Sequence, residues 1–243
     1  MGRNMLGRAI KKMAATSLTL RGLLIGALGA ALLALSAGAA SAQTAVWTGA
    51  TSNDWTTGSN WSTATPPVAG QTVNIGATGA SRPDAILGVS GPMVVSAGSI
   101  NVGQVAGVPG ALTIQNGSRL TNTSNARLAV VAGSSGTVTV TGPGSQWNIP
   151  AFTFYVGFQG TGTLSIENGG QVTTGSNTIL GGGAASSGTL NIGSGGTLQT
   201  LSLRGGPGAS QANFDNGILR ASAANTTSST DFPAPSSIFS PAG

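Results

Sequence analysis

Aliphatic residues return along this chain with two superposed periods. The short period is two residues: Leu112/Ile114, Val138/Val140, Leu164/Ile166 and Leu190/Ile192 alternate with Thr113, Thr139, Ser165 and Asn191. Such alternation gives a strand one apolar and one polar face. The long period is 26 residues: the motif Gly-[Ala/Thr]-[Leu/Val]-x-[Ile/Val] starts at Gly110, Gly136, Gly162 and Gly188. A period of roughly 20–50 residues marks an architecture of stacked coils.

Each coil holds more than one strand. Eight or nine residues after the first aliphatic position comes Leu120, Trp147, Val172 or Leu198. Between them lie Asn116-Gly117, Asn168-Gly169-Gly170 and Gly193-Ser194-Gly195-Gly196, which supply the positive-φ residues of tight turns. The coil of Trp147 is longer there by one residue and carries Gly142-Pro143-Gly144. A third short strand precedes each motif, with candidates Ile100–Val102, Leu128–Val131, Phe154–Val156 and Thr178–Leu180. One such coil cannot bury its apolar face alone. Stacked coils can, each strand pairing in parallel with its equivalent one turn away. The fold class expected is all-β, a right-handed parallel β-helix of three-strand coils, the hand following from the usual chirality of parallel crossovers. Residues 73–220 span 148 positions. That is five to six periods, or roughly 25–30 Å of stacked strands.

Both flanks differ from the repeats. Residues 43–72 hold Trp47, Trp55 and Trp61 and end near Pro66-Pro67. They read as an N-terminal cap whose rings cover the open end of the core, because an exposed coil end offers unpaired strand edges and apolar side chains. The functional alternative is a platform of tryptophans for stacking sugars. Residues 221–243, with Asn225-Thr226-Thr227-Ser228-Ser229-Thr230 and Pro233, Pro235 and Pro241, are expected to be poorly ordered.

Residues 1–42 read as a helical signal peptide. Met1–Arg21 is basic and free of acids, Gly22–Leu35 is an apolar run of 14 residues, and Ala40-Ser41-Ala42 forms a small-residue cleavage site before Gln43. The run falls short of the ~20 residues that span a bilayer. Met13 is an alternative start.

Charge changes meaning once this leader is set apart. The formal balance is +5, but Arg3, Arg8, Lys11, Lys12 and Arg21 all belong to the leader. From Gln43 onward Arg82, Arg119, Arg127, Arg204 and Arg220 face Asp54, Asp84, Glu167, Asp215 and Asp231. The body is neutral and lacks lysine, so nothing marks it for nucleic acid, which needs a basic stripe on the folded part. The missing lysines leave few tryptic sites, which favours persistence outside the cell.

The chemistry available is limited. With no cysteine and no histidine, disulfides, Cys-His and Ser-His-Asp triads and the common zinc sites are excluded. Carboxylate catalysis on glycosides needs two acids within ~5–9.5 Å. At a strict 26-residue period Asp84, Glu167 and Asp215 fall at positions 6, 11 and 7, and no pair emerges. Glu167 aligns with Gln115, Thr141 and Gly193, a solvated outer position. Arg119 and Arg127 read as solvated surface residues able to meet an acidic partner. Gly181-Gly182-Gly183 is a loop and not a phosphate cradle, since no Lys-Ser/Thr follows it. Asn116-Gly117-Ser118 and Asn122-Thr123-Ser124 match the N-glycosylation acceptor pattern. No catalytic residue, cofactor or metal is expected.

The chain resembles the passenger domains of autotransporters of Gram-negative bacteria. The resemblance rests on the leader, on Val46-Trp47-Thr48-Gly49 with Asp54-Trp55 and Asn60-Trp61, and on the coils Gly162–Thr174 and Gly188–Thr200. Asn213–Ala221 is similar to the family's F-x-G-G-x-L-x-A element, with Asn216 in place of one glycine. The resemblance implies export across the inner membrane and passage through an outer-membrane translocator barrel. That barrel is expected but absent from this chain: no run of alternating amphipathic strands follows the coils. The resulting expectation is a non-enzymatic β-helical passenger fragment, a stalk or adhesin at the outer-membrane surface or secreted, and periplasmic without a barrel. A host surface, a glycan or a second copy of the chain are its expected partners. The alternative is a polysaccharide-binding or polysaccharide-cleaving β-helix protein, a lyase or hydrolase.

Overall fold

The structure, a computed structural model, describes residues 43–77, 84–222 and the backbone of 239–241. The signal peptide expected over residues 1–42 lies outside the described residues, as do 223–238 and 242–243 of the tail expected to be poorly ordered.

The described residues form a parallel β-solenoid of three sheets. The first sheet runs Ala45–Val46, Val73–Ile75, Ile100–Val102, Ala126–Leu128, Phe154–Val156, Asn177–Leu180 and Ser202–Gly205. The second runs Val94–Ala97, Arg119–Asn122, Gln146–Ile149, Gln171–Thr174, Thr197–Thr200 and Ile218–Ala221. The third runs Ala85–Leu87, Pro109–Ile114, Ser135–Thr141, Thr161–Glu167, Ser187–Ile192, Ala209–Phe214 and Phe239–Pro241. The chain visits the first, third and second sheets in turn and then begins the next coil.

The 26-residue repeat is the vertical register. Leu112, Val138, Leu164 and Leu190 form one column, as do Ile114, Val140, Ile166 and Ile192. Each is at most 1% exposed. The second strand of the coil holds too: Leu120, Trp147, Val172 and Leu198 are in register despite the extra residue before Trp147. The turn absorbs that residue, with Gly142 and Gly144 at φ 90° and 79°.

One boundary differs from the expectation. The strand placed at Leu128–Val131 is Ala126–Leu128, with Leu128 beside Val102 and Val156. The next residue, Ala129, has φ 56° and ends the strand. Its equivalents in neighbouring coils are Gly103, Gly157 and Gly181, all at positive φ. A β-carbon in this conformation costs about 1–2 kcal/mol. Ala129→Gly is therefore expected to stabilise the fold by about 0.5–1 kcal/mol, after the entropy of the added glycine is subtracted. Thermal unfolding should show a melting temperature higher by ~1–4 °C.

The motif glycines have a different cause. Gly110, Gly136, Gly162 and Gly188 share a column and none has positive φ. They are required by close approach. A β-carbon on Gly110 would stand 2.7 Å from the Ile75 carbonyl oxygen, and one on Gly136 would stand 2.7 Å from the Ala129 nitrogen.

Inside, side-chain volumes complement one another from coil to coil. Phe154 stacks between Ala126 and Thr178, two small neighbours. Its ring meets Trp147 edge-on at 4.9 Å. The Trp147 Nε1 donates to buried Asn122 Oδ1 at 2.8 Å. Higher up, buried Thr174, Thr178 and Thr200 form a hydroxyl cluster, with Thr174 Oγ1 2.7 Å from Thr200 Oγ1 and the Ser176 and Ser202 carbonyls as acceptors. Buried hydroxyls carry little penalty when paired in this way.

The N-terminal residues close one end of this core. Trp55 donates from its backbone to Ile86 O and Ile86 donates to Asn53 O, adding a partial rung beyond Ala85–Leu87. Trp47, Trp55 and Trp61 are 1–3% exposed and meet edge to face, with ring centroids 5.0 and 4.7 Å apart. Buried Asn60 fastens the loop above them: its Oδ1 accepts from Thr51 and Ser52 backbone N–H groups, and its Nδ2 donates to Asp54 O. Gly58–Asn60 is the one helical turn among the described residues.

The last full coil is short. Leu190 and its partner Ala212 are 22 residues apart in place of 26. Within Asn213–Ala221, Phe214 ends a third-sheet strand and Ile218–Ala221 tops the second sheet.

Candidate functional site

Burial removes several candidates. The tryptophan cluster is interior, so its rings present no face for a sugar. Asn122 is 0% exposed and hydrogen-bonded to Trp147 and Ser124, which leaves its amide inaccessible to glycosylation in the folded chain. Asn116 is exposed, but its φ is 55° and its Nδ2 is held by the Gly88 carbonyl at 2.7 Å. Ala40 and Ala42 of the expected cleavage site lie outside the described residues, and Gln43 is exposed. No helix among the described residues is long and apolar enough to cross a membrane.

Glu167 keeps the outer position expected of it, in register with Thr141, but Asp215 is out of phase with the strict period. That period separates the two acids, but the structure brings both into one groove of about 310 Å³ on the outer face of the third sheet. The four-residue shortening of the last coil is the cause. Ile166, Ile192 and Phe214 share a column, so the residues after them, Glu167, Gly193 and Asp215, form the next position. Two rungs separate the two acids, roughly 9–10 Å along the column. Gly193 stands between them with no side chain, and a β-carbon there would lie 3.3 Å from Glu167 Cβ. The neighbouring column is a polar ladder: Asn213 Nδ2 donates to Asn191 Oδ1 at 2.8 Å, and Asn191 Nδ2 donates to Ser165 Oγ at 3.3 Å.

The faces also differ in charge, which no linear reading exposes. Asp54 bridges to Ile86 of the third sheet, Asp84 precedes Ala85, and Glu167 and Asp215 line the groove. All four described acids thus lie on or beside the third sheet. The four described arginines lie on the other two, Arg127 and Arg204 on the first sheet and Arg119 and Arg220 on the second. Among the described residues, the charges thus divide between faces of opposite sign.

No family model, curated protein or solved structure matches the chain. The chemistry of these faces is therefore argued from the geometry alone.

The first-sheet face carries the aromatic contacts of the exterior. Arg127 Cζ lies 5.0 Å from the centre of the Phe158 ring, and Phe158 meets Tyr155 edge-on at 5.0 Å. The Gly181–Gly183 loop finds its reason here. A β-carbon on Gly182 would stand 3.0 Å from Tyr155 Cδ1 and 3.1 Å from Phe158 O, so glycine lets the loop lie against the ring.

Proposed function

We propose that this chain is an exported β-helical passenger fragment of autotransporter type, with a stalk or adhesin role at the bacterial surface and no catalytic activity. The observation that carries this reading is the exterior column Thr113, Thr139, Ser165, Asn191 and Asn213, five successive rungs of outward polar groups on continuous parallel strands. Such a column offers many weak, regularly spaced hydrogen-bonding contacts, and repetition turns feeble contacts into useful avidity. The leader, with Ala40-Ser41-Ala42 before Gln43, supports export. A location at the outer surface belongs to that reading, as do a glycan, a host surface or a second copy as partner.

One observation favours a second reading, a polysaccharide-cleaving solenoid. Glu167 and Asp215 flank the groove across Gly193. Their rungs are separated by about the distance that inverting glycosidases use, although side-chain reach and not backbone separation sets the final spacing. A single experiment divides the readings. The folded chain, and its Glu167→Gln and Asp215→Asn variants, are incubated with neutral and acidic glycans, and both binding and reducing-end release are measured. Saturable binding without turnover is expected. Turnover that disappears in either variant would replace the adhesin with the enzyme.

A further inference from the structure

The first-sheet face has a ligand chemistry of its own. Its outward column runs Asn101, Arg127, Tyr155, Ile179 and Arg204. No acid stands on this face among the described residues. Arg127 is half-buried, and its Nε is buried with no hydrogen-bond partner. One rung away, Asn101 Oδ1 is also buried and unpartnered. The guanidinium is therefore not drawn down onto its neighbouring amide. The Phe158 ring holds it, edge-braced by Tyr155, and none of its nitrogens is taken by a described residue. A guanidinium positioned by an aromatic face keeps its planar fork free for a two-point contact with a carboxylate or sulfate. Arg204, exposed, repeats the positive charge three rungs on, ~14 Å along the column. Between the two cations lie Tyr155 and Ile179, half-buried and suited to the apolar face of a pyranose ring.

We propose that this face binds an acidic polysaccharide, its acid groups held by Arg127 and Arg204 and its rings lying over Tyr155 and Ile179. The proposal rests on the adhesin reading and names the ligand class for it. It requires no cleavage and makes no use of the groove on the third sheet.

The test uses the exported chain, from Gln43 onward and so without the basic leader, and calorimetric titration with polygalacturonate, with dextran as the neutral comparison. Three proteins are compared: wild type, Arg127→Gln/Arg204→Gln, and Arg119→Gln/Arg220→Gln, which removes the same charge from the second sheet. Circular dichroism verifies that each is folded. Polygalacturonate should bind and weaken with added salt, while dextran should not bind. The first-sheet variant should lose about tenfold or more in affinity, as expected for charge-assisted hydrogen bonds. The second-sheet variant should stay within about twofold, the effect of distant and screened charges. Equal losses in both variants would overturn the proposal, because they would mean attraction by net charge alone. Binding of dextran and polygalacturonate alike that survives Arg127→Gln/Arg204→Gln would overturn it while keeping the adhesin. A folded wild type that attaches to no glycan, no host surface and no second copy of itself would remove the adhesin reading too.

Discussion

Leu164→Asp is expected to abolish the cooperatively folded solenoid. Leu164 is 0% exposed, and its backbone pairs with Val138 below and Leu190 above. A carboxylate in that column has aliphatic neighbours on both sides and no partner, and unpaired buried charge is among the most destabilising changes known. The loss should be about 4 kcal/mol or more, a large share of the stability of any single domain. Circular dichroism should show weakened β signal, and any residual transition should melt at least ~10 °C lower. The paired control is Ser165→Ala. Ser165 points outward and accepts one 3.3 Å hydrogen bond from Asn191, so its loss should stay below about 1 kcal/mol. If both variants melt like wild type, the inward and outward faces have been exchanged.

Gly162→Ala should come next in severity, although it adds a single methyl group. The new carbon would overlap the Gly157 nitrogen and stand 2.7 Å from Gly157 Cα and 2.8 Å from the Val156 carbonyl carbon. All three are backbone atoms, and no rotamer change can clear them. The corner between the first and third sheets must open, which breaks the register of the coil. The cost expected is about 3 kcal/mol, the upper end for overpacking in a well-packed interior. Chemical denaturation should show a lower midpoint. An unchanged midpoint would mean that the corner is wider than the structure has it. The same change at Gly195, whose β-carbon would meet Gly169 nitrogen at 3.1 Å and whose φ is 72°, tests turn strain and not column packing.

The fold was legible because both periods survive in the residues. Leu112 to Leu190 keep the spacing of 26, and the alternation of Thr163 and Ser165 with Leu164 and Ile166 shows which face is wet. What was not legible follows from the places where local identity and position disagree. Thr174, Thr178 and Thr200 are polar yet interior. Strand parity alone places Thr174 with Val172, while composition places it with the exterior. The bounds of the strand at Ala126–Leu128 are hidden in the sequence because Val130 and Val131 are more strand-like than Ala126, and only the positive φ of Ala129 decides the matter. The groove is hidden in the sequence for another reason. A fixed modulus cannot follow a coil that is four residues short, so it places Asp215 away from Glu167. Tracking the apolar pair Ile192 and Phe214 carries the phase through. The division of charge between faces needs the assignment of every strand to its sheet, which the sequence supplies only after the boundaries are right.

The three-indole lid makes the two ends of the solenoid unequal. Each coil is held by the coils beside it, so opening begins where one neighbour is missing. At the Trp47, Trp55 and Trp61 end the first coil already has a cover. Among the described residues, the topmost rungs Ser202–Gly205 and Ile218–Ala221 have a neighbour on one side in their own sheets and no aromatic cover, whereas the equally one-sided Ala45–Val46 and Val94–Ala97 lie at the lidded end. Fraying therefore has a direction. It starts in these late strands and travels toward the indoles, so the earliest coils are the last to exchange their amide protons and are the natural seed from which the rest can zip closed.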